Sequence, residues 1–170
     1  MSESSPPGPP AFVRFAPVIV DLMIATVTIV IFVAVALATG VRSPWPYTIP
    51  VALFLGALLL FRRQWPMTVL LLSVAALIAY HLASWSPAGW IWPISAAYFT
   101  AATTRHFLWV IGIGIAQLVY SAIDAQWILD HNIRRYLFHT LGETLLLAIL
   151  IGAGLAHAAA QRWHRQQANP

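Results

Sequence analysis

The sequence predicts an all-α integral membrane protein, a bundle of about six transmembrane helices with both termini in the cytoplasm. Composition is the first reason: 60% of the residues are hydrophobic and only 8% are charged, against roughly 25% charged in a typical soluble domain. A soluble fold of 170 residues could not cover its surface with so few charges. The spacing of the charges and the placement of tryptophan point to the same class.

Charged residues divide the chain into apolar segments of membrane-spanning length. A membrane helix needs about 20 mostly apolar residues, and most gaps between charges hold one such segment. The gap from Arg63 to Arg105 holds two, with the turn supplied by Ser84 to Gly89, because proline and glycine interrupt helices. The second and fourth segments are short, which favours little tilt or a partly interfacial position. The predicted spans are Phe15–Thr39, Pro50–Phe61 with its preceding residues, Pro66–Ala83, Trp90–Thr104, Phe107–Ile123 and Tyr136–Ala160.

The predicted organisation is one transmembrane domain between two short tails. Residues 1–13 are polar and proline-rich, which is typical of a disordered tail. Residues 14–160 form the six-helix domain, and residues 161–170 form a short cytoplasmic tail. The apolar stretch after Arg14 is too long for a removable signal peptide. We therefore interpret the first span as a retained signal-anchor helix.

The arginines and tryptophans predict the orientation in the cell membrane. Loops with an excess of arginine and lysine tend to be cytoplasmic. With the N-terminus inside, the cytoplasmic segments hold Arg14, Arg62, Arg63, Arg105, Arg162 and Arg165, and the outer loops hold Arg42, Arg134 and Arg135. Tryptophan favours the headgroup layer, and the predicted span ends hold Trp45, Trp85, Trp90, Trp92 and Trp127 outside and Trp65 and Trp163 inside.

Several classes of function are excluded or disfavoured by the residue inventory. All nine basic residues are arginines scattered singly or in pairs, so the basic balance does not indicate nucleic-acid binding. The absence of cysteine excludes disulfides, thiolate zinc sites and cysteine nucleophiles. We find no metalloprotease, nucleophile-elbow or aspartate-rich motif. The sequence therefore predicts no enzyme and no cofactor, and the lipid bilayer is the one environment it requires.

A line of ionisable residues in the last span is the main candidate site. Glu143 lies well inside this span, where a charged carboxylate costs at least about 2.5–3.5 kcal/mol. His139 and Arg135 precede it by one and two helical turns on the same face. Histidine changes charge near neutral pH, so this line is a candidate sensing or proton-responsive element. The alternative is a hydrogen-bonded cluster that fixes helix packing.

Two further sets of ionisable residues are lesser candidates. Asp21 lies near the inner end of the first span, far from Glu143, and we interpret it as mainly structural. His81 lies on the outer side, where imidazoles and carboxylates could in principle bind zinc or copper. Their spacing matches no compact metal motif, so we predict no metal site; the set is His81, His131, His139, Asp124 and Asp130.

Two patterns concern helix packing: a polar face on the fifth span and a stripe of small residues on the last span. Gln117, with Tyr120 and Ser121, gives the fifth span a polar face that either meets Glu143 or lines a small cavity. The last span carries a stripe of small residues that lets two backbones approach closely, either in a homodimer or within one subunit. The stripe consists of Gly152, Ala156 and Ala160.

The stretch Arg62-Arg63-Gln64-Trp65-Pro66 entering an apolar helix resembles the N-terminal membrane domain of actinobacterial sensor histidine kinases. The related group is that of the nitrate-sensor and membrane-fluidity-sensor kinases. The segment ISAAYFTAATTRH and the last span, LLLAILIGAGLAHAAAQRWHR, resemble it too, so the similarity covers about Pro50 to Arg165. The resemblance implies a transmembrane input domain. Such kinases continue into a phosphoacceptor helix and an ATP-binding domain, and we identify neither in this sequence. In particular, His164 lacks the acidic neighbours that are expected around a phosphoacceptor histidine.

The resemblance therefore predicts a membrane-embedded sensory or regulatory module of a two-component system, without a catalytic domain of its own. It would signal through a partner, such as a kinase or a second copy, by helix–helix contact. One alternative is a small transport or permeability protein. Another is a scaffold subunit of a membrane complex.

Overall fold

The computed structural model describes residues 11–38, 47–84, 90–128 and 133–168, and all regular structure within these ranges is helical. This confirms the all-α class, and each predicted span corresponds to a helix. The helices are α1 (Ala11–Ala38), α2 (Thr48–Leu60), α3 (Pro66–Ser84), a 3-10 turn (Trp92–Ile94), α4 (Ser95–Ala102), α5 (Phe107–Ile128) and α6 (Ile133–Ala168).

Four helices are long and apolar enough to cross a membrane: α1, α3, α5 and α6. α2 has 13 residues and α4 has 8, or about 20 Å and 12 Å at 1.5 Å per residue. Both are shorter than the roughly 30 Å hydrocarbon core, as expected for the second and fourth segments. The six crossings and the cytoplasmic termini stay predictions.

The short helix α4 lies at the centre of the bundle. It contacts α3, α5 and α6, and its residues Ala97, Tyr98, Ala101 and Ala102 are fully buried. Small side chains allow three longer helices to pack closely around it. On the outside, α1, α3, α5 and α6 expose large apolar side chains, a surface that suits lipid and not water; examples are Val18, Leu71, Leu108, Ile115 and Ile149.

The turn between α2 and α3 is built from the Arg-Arg-x-Trp-Pro stretch. The carbonyl of Phe61 accepts hydrogen bonds from the backbone of Gln64 and Trp65, at 3.0 and 3.1 Å. Pro66 opens α3, where its missing N–H costs nothing. The exposed ring of Trp65 stacks on Phe61, with centroids 6.4 Å apart. This turn directs Arg62 inward.

The small-residue stripe of α6 faces away from the described helices. Gly152, Ala156 and Ala160 are exposed, and a Cβ on Gly152 would meet no described atom within 4 Å. No described residue packs against this stripe, and both alternatives, a homodimer and packing within one subunit, stay predictions. The internal close approach is made by Gly154 instead, where a Cβ would lie 2.8 Å from the backbone oxygen of Phe99.

Along its length, α6 is one unbroken helix. It begins three residues before the predicted start of the last span and continues to Ala168. Most of the segment predicted as a C-terminal tail is thus helical. The residues from Gln161 to Gln167 are exposed on all sides, so no described residue covers this part of the helix.

Candidate functional site

Buried polar side chains gather between α3, α5, α6 and the segment that enters α4. We call this set the Glu143 cluster; it consists of His81, Trp90, Tyr98, Gln117, Ser121, His139 and Glu143. Its members come from four separate parts of the chain. The cluster lies on the side of the bundle where α3 ends and α6 begins.

Glu143 and Gln117 bind the backbone of Trp90 from two different helices. Oε1 of Glu143 accepts the Trp90 backbone N–H at 2.7 Å, and Nε2 of Gln117 donates to the Trp90 carbonyl at 2.6 Å. Trp90 precedes the 3-10 turn, so its backbone groups have no helical partner. Buried backbone groups of this kind need partners, and here side chains of α5 and α6 supply them.

Tyr98 extends this arrangement into the core. Its hydroxyl donates to Oε1 of Gln117 at 2.6 Å, and the side chain is fully buried. Gln117 therefore accepts from α4 and donates to the segment that precedes α4. A hydrogen-bonded chain of this kind fixes the relative position of the elements it joins.

Aromatic rings close the cluster on the side of α3. The indole of Trp90 stacks on the imidazole of His81, with centroids 3.8 Å apart and an interplanar angle of 17°. Tyr120 meets the same indole edge-on at 4.9 Å. Nδ1 of His81 donates to the Leu77 carbonyl at 2.9 Å, because a carbonyl can only accept. Nε2 of the neutral ring is then an acceptor.

Several polar atoms of the cluster are buried without a hydrogen-bond partner among the described residues. Most buried polar atoms are paired, and leaving one unpaired costs about 1–3 kcal/mol. The Ser121 hydroxyl lies beside the Glu143 carboxylate. The cluster therefore has unused hydrogen-bonding capacity for a proton or a small polar ligand. These atoms of the cluster are His81 Nε2, Ser121 Oγ, His139 Nδ1 and Glu143 Oε2, and Oγ1 of the adjacent Thr140 on α6 also lacks a described partner.

The structure places the predicted line of α6 residues in three different environments. Glu143 is buried, His139 is half-buried within electrostatic reach of it, and Arg135 is exposed and makes a contact of its own. The Glu143 carboxylate accepts a hydrogen bond from the backbone of Trp90, which lies on a different segment of the chain. The polar face of α5 does meet Glu143, through Ser121.

Sequence reasoning missed the central role of Trp90 and Tyr98. Trp90 takes part through its backbone, which leaves no mark in the sequence, and its ring alone predicts an interfacial position. Tyr98 lies in a short apolar segment and was not distinguishable from a packing residue. A buried tyrosine hydroxyl does need a partner, and that rule is the one signal that could have found it.

The histidines and carboxylates do not form a metal site in the described part of the chain. No group of three or more such residues has the geometry of a ligand set there. His81 is within electrostatic reach of Asp124 and His139, and its Nδ1 bonds to the Leu77 carbonyl. His131 and Asp130 lie outside the described residues.

A second buried charge cluster, the Asp21 site, lies at the opposite end of the bundle. Oδ1 of Asp21 accepts from Nε and Nη2 of Arg62 at 3.1 and 2.7 Å, and Oδ2 accepts from Nε of Arg63 at 2.5 Å. Arg63 also donates to the Pro17 carbonyl at 3.4 Å. Asp21 and Arg62 are both buried. The Arg-Arg turn thus binds α1 to the α2–α3 connection.

This pairing could have been found in the sequence. α1 and α2 form an antiparallel hairpin, and Asp21 and Arg62 lie at nearly equal distances along the chain from its connection, residues 39–47. The two arginines are the nearest cations on the same predicted side of the membrane, apart from Arg14. The structure shows both arginines bonded to Asp21, and the structural role of this carboxylate stays a prediction.

No protein-family model, no curated protein and no solved structure matches this chain. Function must be inferred from the two buried clusters and from α6, which passes both ends of the bundle.

Proposed function

We propose that this protein is a membrane-embedded sensory or regulatory module, with both termini in the cytoplasm, in which the Glu143 cluster responds to a proton or a small polar ligand. The observation that carries the proposal is the position of Glu143 on α6. This helix has 36 residues, about 54 Å at 1.5 Å per residue, and runs without a break from the cluster to the exposed residues after Gln161. A displacement of α6 at Glu143 therefore reaches the far end of the same rigid element.

Occupation of the cluster would act through the contact between Glu143 and Trp90. A proton or donor group on the unpartnered Oε2 changes the charge and the hydrogen bonds of the carboxylate. Trp90 leads directly into α4, which α6 packs against at Gly154. Two arrangements of α4 against α6 would then differ in free energy. A ligand shifts the equilibrium between these arrangements only to the extent that it binds one of them more tightly than the other.

The core between the Glu143 cluster and the Asp21 site favours signalling over transport. The buried side chains at intermediate levels of the helices are apolar: Leu70, Leu77, Ala101, Val110 and Leu147. Ser73 is the one buried polar side chain at these levels among the described residues. A conducting path needs polar groups or water along its length, so this core supports a closed sensory bundle.

The partner would be reached through α6. Its exposed stripe of Gly152, Ala156 and Ala160 fits a second copy of this helix, since small residues let membrane helices approach closely. The resemblance of the Arg-Arg-x-Trp-Pro stretch to histidine-kinase input domains supports a kinase as the signalling partner. Both parts of this assignment belong to the proposal.

Spin-label distances test the coupling directly, because the chain contains no cysteine. Labels on Gln64→Cys and Arg165→Cys, both exposed, report the position of the α6 end relative to the α2–α3 turn. We expect Glu143→Gln to shift the distance distribution in liposomes. Glu3→Gln, the same acid-to-amide change in the N-terminal residues 1–13, should leave it unchanged.

A pH series extends this test. His139 on α6 lies within electrostatic reach of Glu143, and His81 on α3 lies within reach of His139 and of Asp124 on α5. The series covers about pH 5–8. Identical distributions for the native chain and Glu143→Gln throughout this range would overturn the coupling. Glu143-dependent proton flux into the same liposomes would support transport instead.

A further inference from the structure

An open cavity of about 220 Å³ lies beside the Asp21 site, at the end of the bundle opposite the Glu143 cluster. It is formed between the α2–α3 turn, the end of α4 and α6. Its volume is below the roughly 300–1,000 Å³ of sites for drug-sized ligands, which suits a single headgroup. Its walls include Arg62, Arg63, Thr100, Thr103, His157 and Gln161.

The charged groups at this cavity leave an excess positive charge. Arg62 and Arg63 contribute two positive charges and Asp21 contributes one negative charge, so one positive charge remains uncompensated. Asp21 uses Nε and Nη2 of Arg62 and Nε of Arg63. Among the described residues, Nη1 of both guanidinium groups makes no hydrogen bond. Each arginine therefore keeps donor capacity for an anion.

The other polar walls add no negative charge. The hydroxyls of Thr100 and Thr103 donate to carbonyls of their own helix at 2.8 and 2.7 Å. His157 and Gln161, one turn apart on α6, bond to each other at 2.9 Å. No carboxylate lines the cavity in the described part of the chain, and the lining as a whole favours an anionic ligand.

Aromatic side chains mark the level of the cavity relative to the bilayer. Phe61 and Trp65 are exposed on the adjacent turn, and Trp163 is exposed on α6 two residues past Gln161. Exposed tryptophans of this kind lie in the headgroup layer. Basic pockets between helices at this level on the cytoplasmic side bind anionic headgroups.

We propose that this cavity binds a phosphate group, with Arg62 and Arg63 as its donors and His157 at its rim. The group would be the headgroup of an anionic phospholipid or a free phosphate, since both present the same oxygens to a guanidinium. Because the cavity is separate from the Glu143 cluster, this inference does not rest on the proposed signalling function.

Native mass spectrometry of the full chain in detergent micelles tests the proposal. Short-chain phosphatidylglycerol, phosphatidylcholine and inorganic phosphate are titrated separately, and the apparent dissociation constant of the first bound molecule is compared. We expect phosphatidylglycerol to bind tighter than phosphatidylcholine by about fivefold or more, the effect of about one cationic side chain at a membrane surface.

A matched pair of variants on α6 locates the site without disturbing Asp21. His157→Glu places a negative charge at the cavity, whereas His164→Glu places the same charge two turns further along the same helix, at an exposed position away from it. We expect the first to remove the preference for phosphatidylglycerol and the second to leave it. Arg63→Gln should weaken binding as well, though it also removes a bond to Asp21.

The outcomes separate the two sources of phosphate. Phosphatidylglycerol binding that inorganic phosphate does not displace would identify a lipid headgroup site, and displacement by phosphate would identify a site for the free anion. Equal binding of the two lipids would overturn the proposal. Equal loss in His157→Glu and His164→Glu would overturn it too, because diffuse surface charge would then explain the binding.

Discussion

The two ends of the bundle each bury a carboxylate, but the two carboxylates are bound in opposite ways. Both oxygens of Asp21 accept hydrogen bonds from arginines, whereas Glu143 has one oxygen on the backbone of Trp90 and the other without a partner in the described structure. The paired carboxylate joins α1 to the α2–α3 turn. The half-paired one is left open to a change of state.

The physical reason for this difference is the depth of each group. At the Asp21 site, the side chain of Arg63 is about half exposed, so it reaches both the carboxylate and the outside of the bundle. Glu143 faces the interior, where no described cation bonds to it. The hydrogen bond to its Oε1 comes from a neutral donor, the backbone N–H of Trp90.

The largest effect should come from breaking the Asp21 site. Asp21→Asn leaves the buried Arg62 without its counter-charge, and losing one partner of a buried ion pair costs about 3 kcal/mol or more. We expect the free energy of unfolding, measured by SDS titration in mixed micelles, to fall by about this amount. Asp21→Leu combined with Arg62→Met should recover most of the loss, because no charge is then buried unpaired. Failure of the double variant to recover would assign the loss to packing.

Removing Gln117 should have the next largest effect. Gln117→Leu leaves the Tyr98 hydroxyl and the Trp90 carbonyl unpaired in the core, at about 1–3 kcal/mol for each unsatisfied group. We expect the free energy of unfolding to fall by about 2–3 kcal/mol in the same titration. Adding Tyr98→Phe should restore part of it, since one orphaned group is removed. An unchanged Gln117→Leu variant would show that the hydrogen-bonded chain contributes nothing.

The contact of α4 with α6 is tested by a pair of glycines two residues apart. Valine at Gly154 would press against Ala102 and the Phe99 carbonyl, and overpacking of this kind costs about 1–3 kcal/mol. Valine at Gly152 meets open space, so its free energy of unfolding should match the native chain. Gly152→Val should instead weaken any dimer formed through the stripe, measured by cross-linking in liposomes. A destabilised Gly152→Val monomer would contradict the outward orientation.

The smallest effect on stability should come from Glu143→Gln. The amide oxygen still accepts the Trp90 N–H, and the new NH₂ group faces acceptors that lack partners, among them Ser121 Oγ. We expect the free energy of unfolding to change by less than about 0.5 kcal/mol, far less than for Asp21→Asn. Comparison of these two acid-to-amide changes in one titration checks the contrast between the clusters. Equal losses would mean that Glu143 is as firmly paired as Asp21.

Much of the fold follows from local sequence. The apolar gaps between charges located all six helices, because a segment in lipid must satisfy its backbone internally and a helix is the simplest way to do so. The burial of Glu143 and the nearby polar face of Gln117 and Ser121 also followed from helical periodicity. The helical continuation of α6 to Ala168 was not predicted from the sequence, because the polar composition of these residues is typical of a tail.

By itself, then, the sequence determined the all-α class and the approximate positions of the helices, because these depend on local composition and on the solvent around each segment. Only the tertiary structure decided the partners: Arg62 and Arg63 on Asp21, Trp90 on Glu143, and Gly154 rather than Gly152 against α4. Such contacts join residues far apart in the chain. Which face of each helix turns inward is settled by all of its neighbours together.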